Sequence, residues 1–114
     1  MRVLDLKNYT YSVNDQQGIP QLMPYQFKNT LIVVLTHTSL GLNGLELLDI
    51  YAVVEKIEKA DLEVTLTDDD YHKIIEIFKR FRGFSKNDVQ FVKRVFYCPQ
   101  LPDDGKKVIN FSKN

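Results

Sequence analysis

His37, His72 and Cys98 are the side chains in this sequence best suited to hold a soft metal ion or carry nucleophilic chemistry. They fall in three different predicted elements. No spacing places two of them on one turn or one helix face, so no metal site is expected. Cys98 stands beside Pro99 at a predicted helix end. A thiol attacks only as the thiolate and needs a base or positive charge nearby, which no motif supplies, so a packed or half-buried thiol is expected. Asp68-Asp69-Asp70 is a dense set of oxygen ligands. A calcium loop, however, needs alternating ligands, a glycine at its turn and a distal glutamate. Here Tyr71 opens an amphipathic run instead, and the three acids suit a helix first turn. Phosphate loop, dinucleotide fingerprint, paired-carboxylate motif and serine elbow are all missing from the sequence. The expectation is a protein that is not an enzyme and takes no cofactor.

The bulk properties narrow the function classes further. The chain has 114 residues, a single-domain length, with 15 basic and 15 acidic side chains and a net charge of zero. A dedicated binder of nucleic acid or anionic membrane usually carries a basic excess. Zero net charge also leaves little long-range repulsion between copies, which favours a homo-oligomer. One cysteine permits no internal disulfide and fits a reducing compartment, so a cytoplasmic location is expected. The first seven residues hold no continuous apolar stretch, so no secretory leader is expected. The longest apolar run, Leu31 to Leu35, is too short to span a bilayer, and no membrane role is expected.

The elements that carry the candidate residues follow from periodicity. Tyr9, Tyr11 and Val13 alternate with Thr10 and Ser12, so residues 2–13 favour strand. Asn14-Asp15-Gln16-Gln17-Gly18 is turn chemistry, and Ile19 to Met23 returns as a second arm. Pro20 and Pro24 cannot donate to a ladder, so that arm must be an edge or end early. Residues 25–38 read as helix or buried strand. Helix is preferred because Phe27, Leu31, Val34, Leu35 and Thr38 share a face, with Pro24 suited to the first helical position. Residues 44–59 form a helix with two apolar stripes, Leu45, Leu48, Ala52 and Leu47, Tyr51, Val54, which implies contacts on two sides. Leu62 to Leu66 alternates as a short strand able to pair with the hairpin.

Three helix starts share one syntax of apolar residue, polar cap, two spacers, acid and apolar residue. They are Leu42-Asn43-Gly44-Leu45-Glu46-Leu47, Leu66-Thr67-Asp68-Asp69-Asp70-Tyr71 and Phe84-Ser85-Lys86-Asn87-Asp88-Val89. Such a box lets the cap accept a first-turn N–H while the acid accepts the cap's own N–H. The second start opens a helix over 68–82, with Tyr71, Ile74, Ile75, Phe78 and Phe81 inward and Gly83 as a left-handed stop. The third opens a helix over 86–97, with Val89, Val92, Val95 and Phe96 inward and Pro99 ending it. Residues 100–114 read as a flexible tail or an added edge strand at Val108 to Phe111. The fold expected is α+β, an N-terminal β-hairpin or small antiparallel sheet packed on a cluster of about four helices. The chain, residues 1–114, reads as a single domain.

Two surfaces emerge as candidates. Tyr9, Tyr11 and Tyr25 gather at the hairpin, and the hairpin edge with its tyrosines would bind protein by strand addition or aromatic anchoring. The helix pair 68–82 and 86–97 has the outline of a helix-turn-helix, with Lys86, Asn87, Gln90, Lys93 and Arg94 outward. That set supports an alternative, a small DNA- or RNA-binding regulator.

The stretches Leu42 to Leu48, Glu55 to Ala60, Val64 to Tyr71 and Phe81 to Phe84 resemble small proteins encoded by tailed bacteriophages and prophages. The resemblance implies a virion-assembly component, an assembly chaperone or a host-directed regulator, and favours interaction over catalysis. It carries no functional residues with it. The leading expectation is a non-enzymatic protein-binding module of phage or prophage type. It would act in virion assembly or as an adaptor, in the host cell cytoplasm or in the virion, through a protein partner or a second copy.

Overall fold

A computed structural model describes residues 1–100. The N-terminal segment forms two strands rather than one, β1 (Arg2–Asp5) and β2 (Tyr9–Asn14). They enter different sheets. The Asp5 carboxylate accepts the Lys7 N–H at 2.9 Å, a local turn that bends the chain between them. β2 pairs antiparallel with β3 (Pro20–Tyr25), with Tyr9 opposite Tyr25 and Asn14 opposite Pro20. The Asp15 carboxylate closes this hairpin by accepting the N–H groups of Gln17 and Ile19, both at 2.9 Å. Gly18 takes a φ of 78°, which a side chain would resist.

Residues 27–35 resolve as helix α1 (Phe27–Leu35), burying Phe27, Leu31, Val34 and Leu35. Pro24 does not open it but lies within β3 opposite Thr10, and the Asn8 side chain accepts the Phe27 N–H at 3.1 Å. A 3₁₀ turn (Thr38–Leu40) leads to α2 (Gly44–Lys59), then β4 (Glu63–Leu66) and α3 (Asp68–Arg80). A second 3₁₀ turn (Lys86–Asp88) runs into α4 (Val89–Phe96). β4 pairs antiparallel with β1, Arg2 opposite Leu66, and does not extend the hairpin as its alternation allowed. The expected strand at Val108 to Phe111 lies outside the described residues. Among the described residues the architecture is α+β, two small antiparallel two-stranded sheets on four helices.

All three caps form the reciprocal box, at Asn43/Glu46, Thr67/Asp70 and Ser85/Asp88. Each contributes on the order of 1 kcal/mol. Gly83 is not a left-handed stop, since among the described residues the positive-φ glycines are Gly18 and Gly41. Its role is space: a Cβ there would meet the Phe81 ring at 2.7 Å. In α3 the buried apolar set is Ile74, Ile77 and Phe78, with Tyr71, Ile75 and Phe81 only partly covered. The last helix is rotated from its expected phase. Phe91 and Val95 are buried, while Val89 and Phe96 are exposed. Phe91 wins the interior because four rings, Tyr25, Phe27, Phe78 and Phe84, lie within 5.0–6.1 Å of its own.

Candidate functional site

The hairpin is clamped to the helices by aromatic contacts and one charged hydrogen bond. Tyr25 stacks on Tyr9 at 4.8 Å between ring centroids and 8° between planes. Tyr11 meets Tyr25 edge-on at 5.7 Å. The Tyr25 hydroxyl donates to the Asp88 carboxylate at 2.6 Å. Burial, and then that carboxylate, push the Tyr25 hydroxyl pKa well above the ordinary phenol value. Burial likewise raises Tyr9.

Tyr25 is therefore a correction to the expected aromatic contact surface. It is 7% exposed and serves the core. Tyr9 is half-buried beneath Arg94, whose guanidinium lies 5.1 Å from the Tyr9 ring and 4.4 Å from the Phe27 ring. Tyr11 is half-buried and reaches an open cleft.

Arg94 is the second correction. Its Nη1 donates to the carbonyl oxygens of Lys7 at 2.6 Å and Asp5 at 3.2 Å. It ties the β1–β2 connection to α4 and is committed to the fold. The other four residues of the basic set do come together. Lys86, Asn87, Gln90 and Lys93 are exposed and line one cleft with Tyr11, Ser12 and Val89. The cleft measures about 370 Å³. Residues from the two separate candidate surfaces thus share one concavity.

A second surface lies on α2. Among the described residues only one side of this helix is covered, through Ile50, Val53, Val54 and Ile57. The expected second contact side is bare. Leu45 is 81% exposed, Leu48 70% and Tyr51 44%, with Leu47 and Ala52 also exposed. Leu45, Leu48 and Ala52 recur at three- and four-residue spacing, so they form one stripe opposite the core face. Asn43 and Glu46 hold its first turn through the capping box, and Arg80 pairs with Glu46 at 3.6 Å.

The residues suspected of chemistry are placed quietly. His37 is exposed and caps the 3₁₀ turn by accepting the Ser39 N–H at 3.1 Å. His72 is exposed on α3. Cys98 is buried, its Sγ 3.2 Å from the Val3 carbonyl oxygen, and burial raises its thiol pKa. Asp70 is the buried acid of the Thr67 box, and Lys56 donates to it at 2.6 Å. Among the described residues no helix is long and apolar enough to cross a membrane.

Sequence reasoning offered the hairpin edge as a contact but did not decide which of its two strands leaves that edge open. The signal was present in the four-residue spacing of Pro20 and Pro24, which fixes the side of β3 that lacks donors. Comparison with protein-family models, with curated proteins and with solved structures finds no match to this chain.

Proposed function

We propose that this chain is a non-enzymatic protein-binding module that self-associates through the outer face of α2. The observation that carries the reading is the bare stripe of Leu45, Leu48 and Ala52 flanked by Tyr51 and Leu47. Soluble proteins keep contiguous apolar patches mainly where something covers them. A second copy fits the patch for two reasons. Net charge is zero, so copies approach without long-range repulsion. The stripe also sets two large residues at one end against a small one at the other, so an antiparallel two-fold pairing seats Leu45 of one copy over Ala52 of the other. Assembly and adaptor roles of phage type rest on the sequence resemblance alone.

The test is sedimentation velocity across a micromolar concentration range. Burying the exposed part of Leu48 contributes about 1–2 kcal/mol per copy. Two copies contribute twice that, so Leu48→Ala weakens the dimer by roughly 30- to 1000-fold. A wild-type chain that stays monomeric throughout the range refutes the reading.

A nucleic-acid reading retains one specific support, the convergence of Lys86, Asn87, Gln90 and Lys93 on one cleft. It is the weaker of the two, because Arg94 is committed to backbone carbonyls and the chain has no basic excess. Its signature is binding that falls steeply with added salt and on Lys93→Glu.

A further inference from the structure

We infer that the outer edge of β2 is a docking strand for an extended, acidic peptide segment of a partner protein. The register decides which edge is open. Proline cannot donate, so the doubly hydrogen-bonded pairs of the hairpin are Tyr9–Tyr25, Tyr11–Met23 and Val13–Gln21, not those containing Pro20 or Pro24. The Asp15 N–H continues the same alternation by donating to the Ile19 carbonyl at 3.0 Å. Thr10, Ser12 and Asn14 therefore turn their N–H and C=O groups outward from β2. On β3 the outward positions are Pro20, Leu22 and Pro24, of which only Leu22 has an N–H. The β3 edge is blunted against pairing, and the β2 edge is not.

The cleft lies along that open edge. Tyr11 and Ser12 project to opposite faces of the strand, yet both line it, and no β3 residue does. A cavity reached from both faces of one strand sits on the strand's flank. Its far wall is the second 3₁₀ turn and α4, carrying Lys86, Asn87, Gln90 and Lys93. Neither lysine has an ion-pair partner among the described residues. Asp88, the acid nearest them in sequence, is engaged by the Ser85 N–H at 2.8 Å and the Tyr25 hydroxyl at 2.6 Å. An entering segment meets backbone donors and acceptors on one side and uncompensated positive charge on the other. Strand addition satisfies the first, and acidic side chains satisfy the second. A duplex or single strand of nucleic acid would use the lysines but leave the outward backbone ladder unused. The Tyr9–Tyr25 stack and the Tyr25–Asp88 bond hold the strand in place before binding, which reduces the ordering cost.

The probe is a synthetic peptide of about seven residues alternating Glu with Thr or Val, long enough to lie along β2. Titration is followed by amide NMR and calorimetry. The expected result is saturable binding, with the Thr10, Ser12 and Asn14 amides shifted and protected from exchange. Methylating alternate backbone nitrogens of the peptide, which leaves the protein untouched, should weaken binding about tenfold or more. Ser12→Pro should do the same without loosening the hairpin, because that N–H takes no part in its ladder. Lys86→Glu combined with Lys93→Glu should weaken binding and remove its salt dependence. The titration is repeated in Leu48→Ala, where binding should persist, so this inference and α2 self-association fail separately. Binding that ignores peptide methylation overturns the strand-addition geometry. Absence of binding, or preference for an oligonucleotide of equal charge, overturns the peptide as occupant.

Discussion

Tyr25→Phe removes one oxygen atom from the joint between the hairpin and α4. The ring stays buried against Tyr9 and Phe91, so the change isolates the 2.6 Å bond to Asp88. A hydrogen bond to a charged group contributes about 1.5–3 kcal/mol. Asp88 is only half-buried and keeps the Ser85 N–H, so water recovers part of the loss. The expected cost is about 1–2 kcal/mol, a fall in Tm of roughly 5–10 °C for a domain of this size. Asp88→Asn also weakens the Ser85 box, so the pair needs a double-mutant cycle by thermal or urea unfolding. The coupling expected is about 1–2 kcal/mol, and a value below about 0.5 kcal/mol refutes the clamp. The alkaline limb gives an independent check. The folded pKa of Tyr25 lies above its unfolded value near 10, so its contribution is complete below about pH 10 and is lost as pH rises beyond it. Tyr25→Phe should flatten that part of the stability profile.

Asp70→Asn keeps a side-chain oxygen to accept the Thr67 N–H but loses the charged bond from Lys56, and should cost about 1–2 kcal/mol at neutral pH in urea unfolding. Burial alone would raise the Asp70 pKa, but the bonds from Lys56 and Thr67 outweigh it and the net shift is downward. The wild-type advantage should therefore be full above about pH 4 and vanish as pH falls through the lower folded value; an advantage unchanged at low pH refutes this. Gly83→Ala places a Cβ 2.7 Å from the Phe81 ring and should lower stability by about 1–2 kcal/mol, while an unchanged Tm would mean the ring moves freely. Cys98 should react with a thiol reagent near pH 8 far more slowly in the folded chain than in urea, because burial withholds both access and thiolate. Equal rates refute the buried thiol.

The parts of the fold readable in the sequence are those set by local chemistry. The three boxes form because Asn43, Thr67 and Ser85 each have an acid three residues on, a condition satisfied within one turn. The hairpin turn follows for the same reason, whereas α1 rests on the shared face of Phe27, Leu31, Val34 and Leu35 and has no side-chain cap of its own. What local pattern did not decide was competition for the interior. In α4, Val89, Val92, Val95 and Phe96 make a plausible face, yet Phe91 fits a pocket of four rings contributed by distant segments, and the helix rotates to place it there. The partner of β4 was equally hidden, because β1 and the hairpin both offer strands. The interaction surfaces divide similarly. Lys86, Asn87, Gln90 and Lys93 read correctly as outward. Tyr25 and Arg94 did not, since an aromatic or a guanidinium signals exposure only when no carboxylate or carbonyl cluster from a distant segment is placed to accept from it.

The two bare surfaces differ in what holds them rigid, and that difference bears on their use. The β2 edge is backed by linked rings, from Tyr9 through Tyr25 and Phe91 to Phe78 and Phe84, together with the Tyr25–Asp88 bond. A strand so fixed can present Thr10, Ser12 and Asn14 in register to an incoming chain. The face of α2 has no such backing. Behind it lie the aliphatic side chains Ile50, Val53, Val54 and Ile57. They fix the helix in position but leave Leu45 and Leu48 free to adjust to what covers them. An adjustable apolar stripe suits association driven by buried area, and a fixed polar edge suits recognition driven by hydrogen-bond geometry. Leu22, 74% exposed between the two prolines of β3, follows the same logic. Its neighbours withhold the donors that a pairing strand would require, so its exposure does not open a second docking edge.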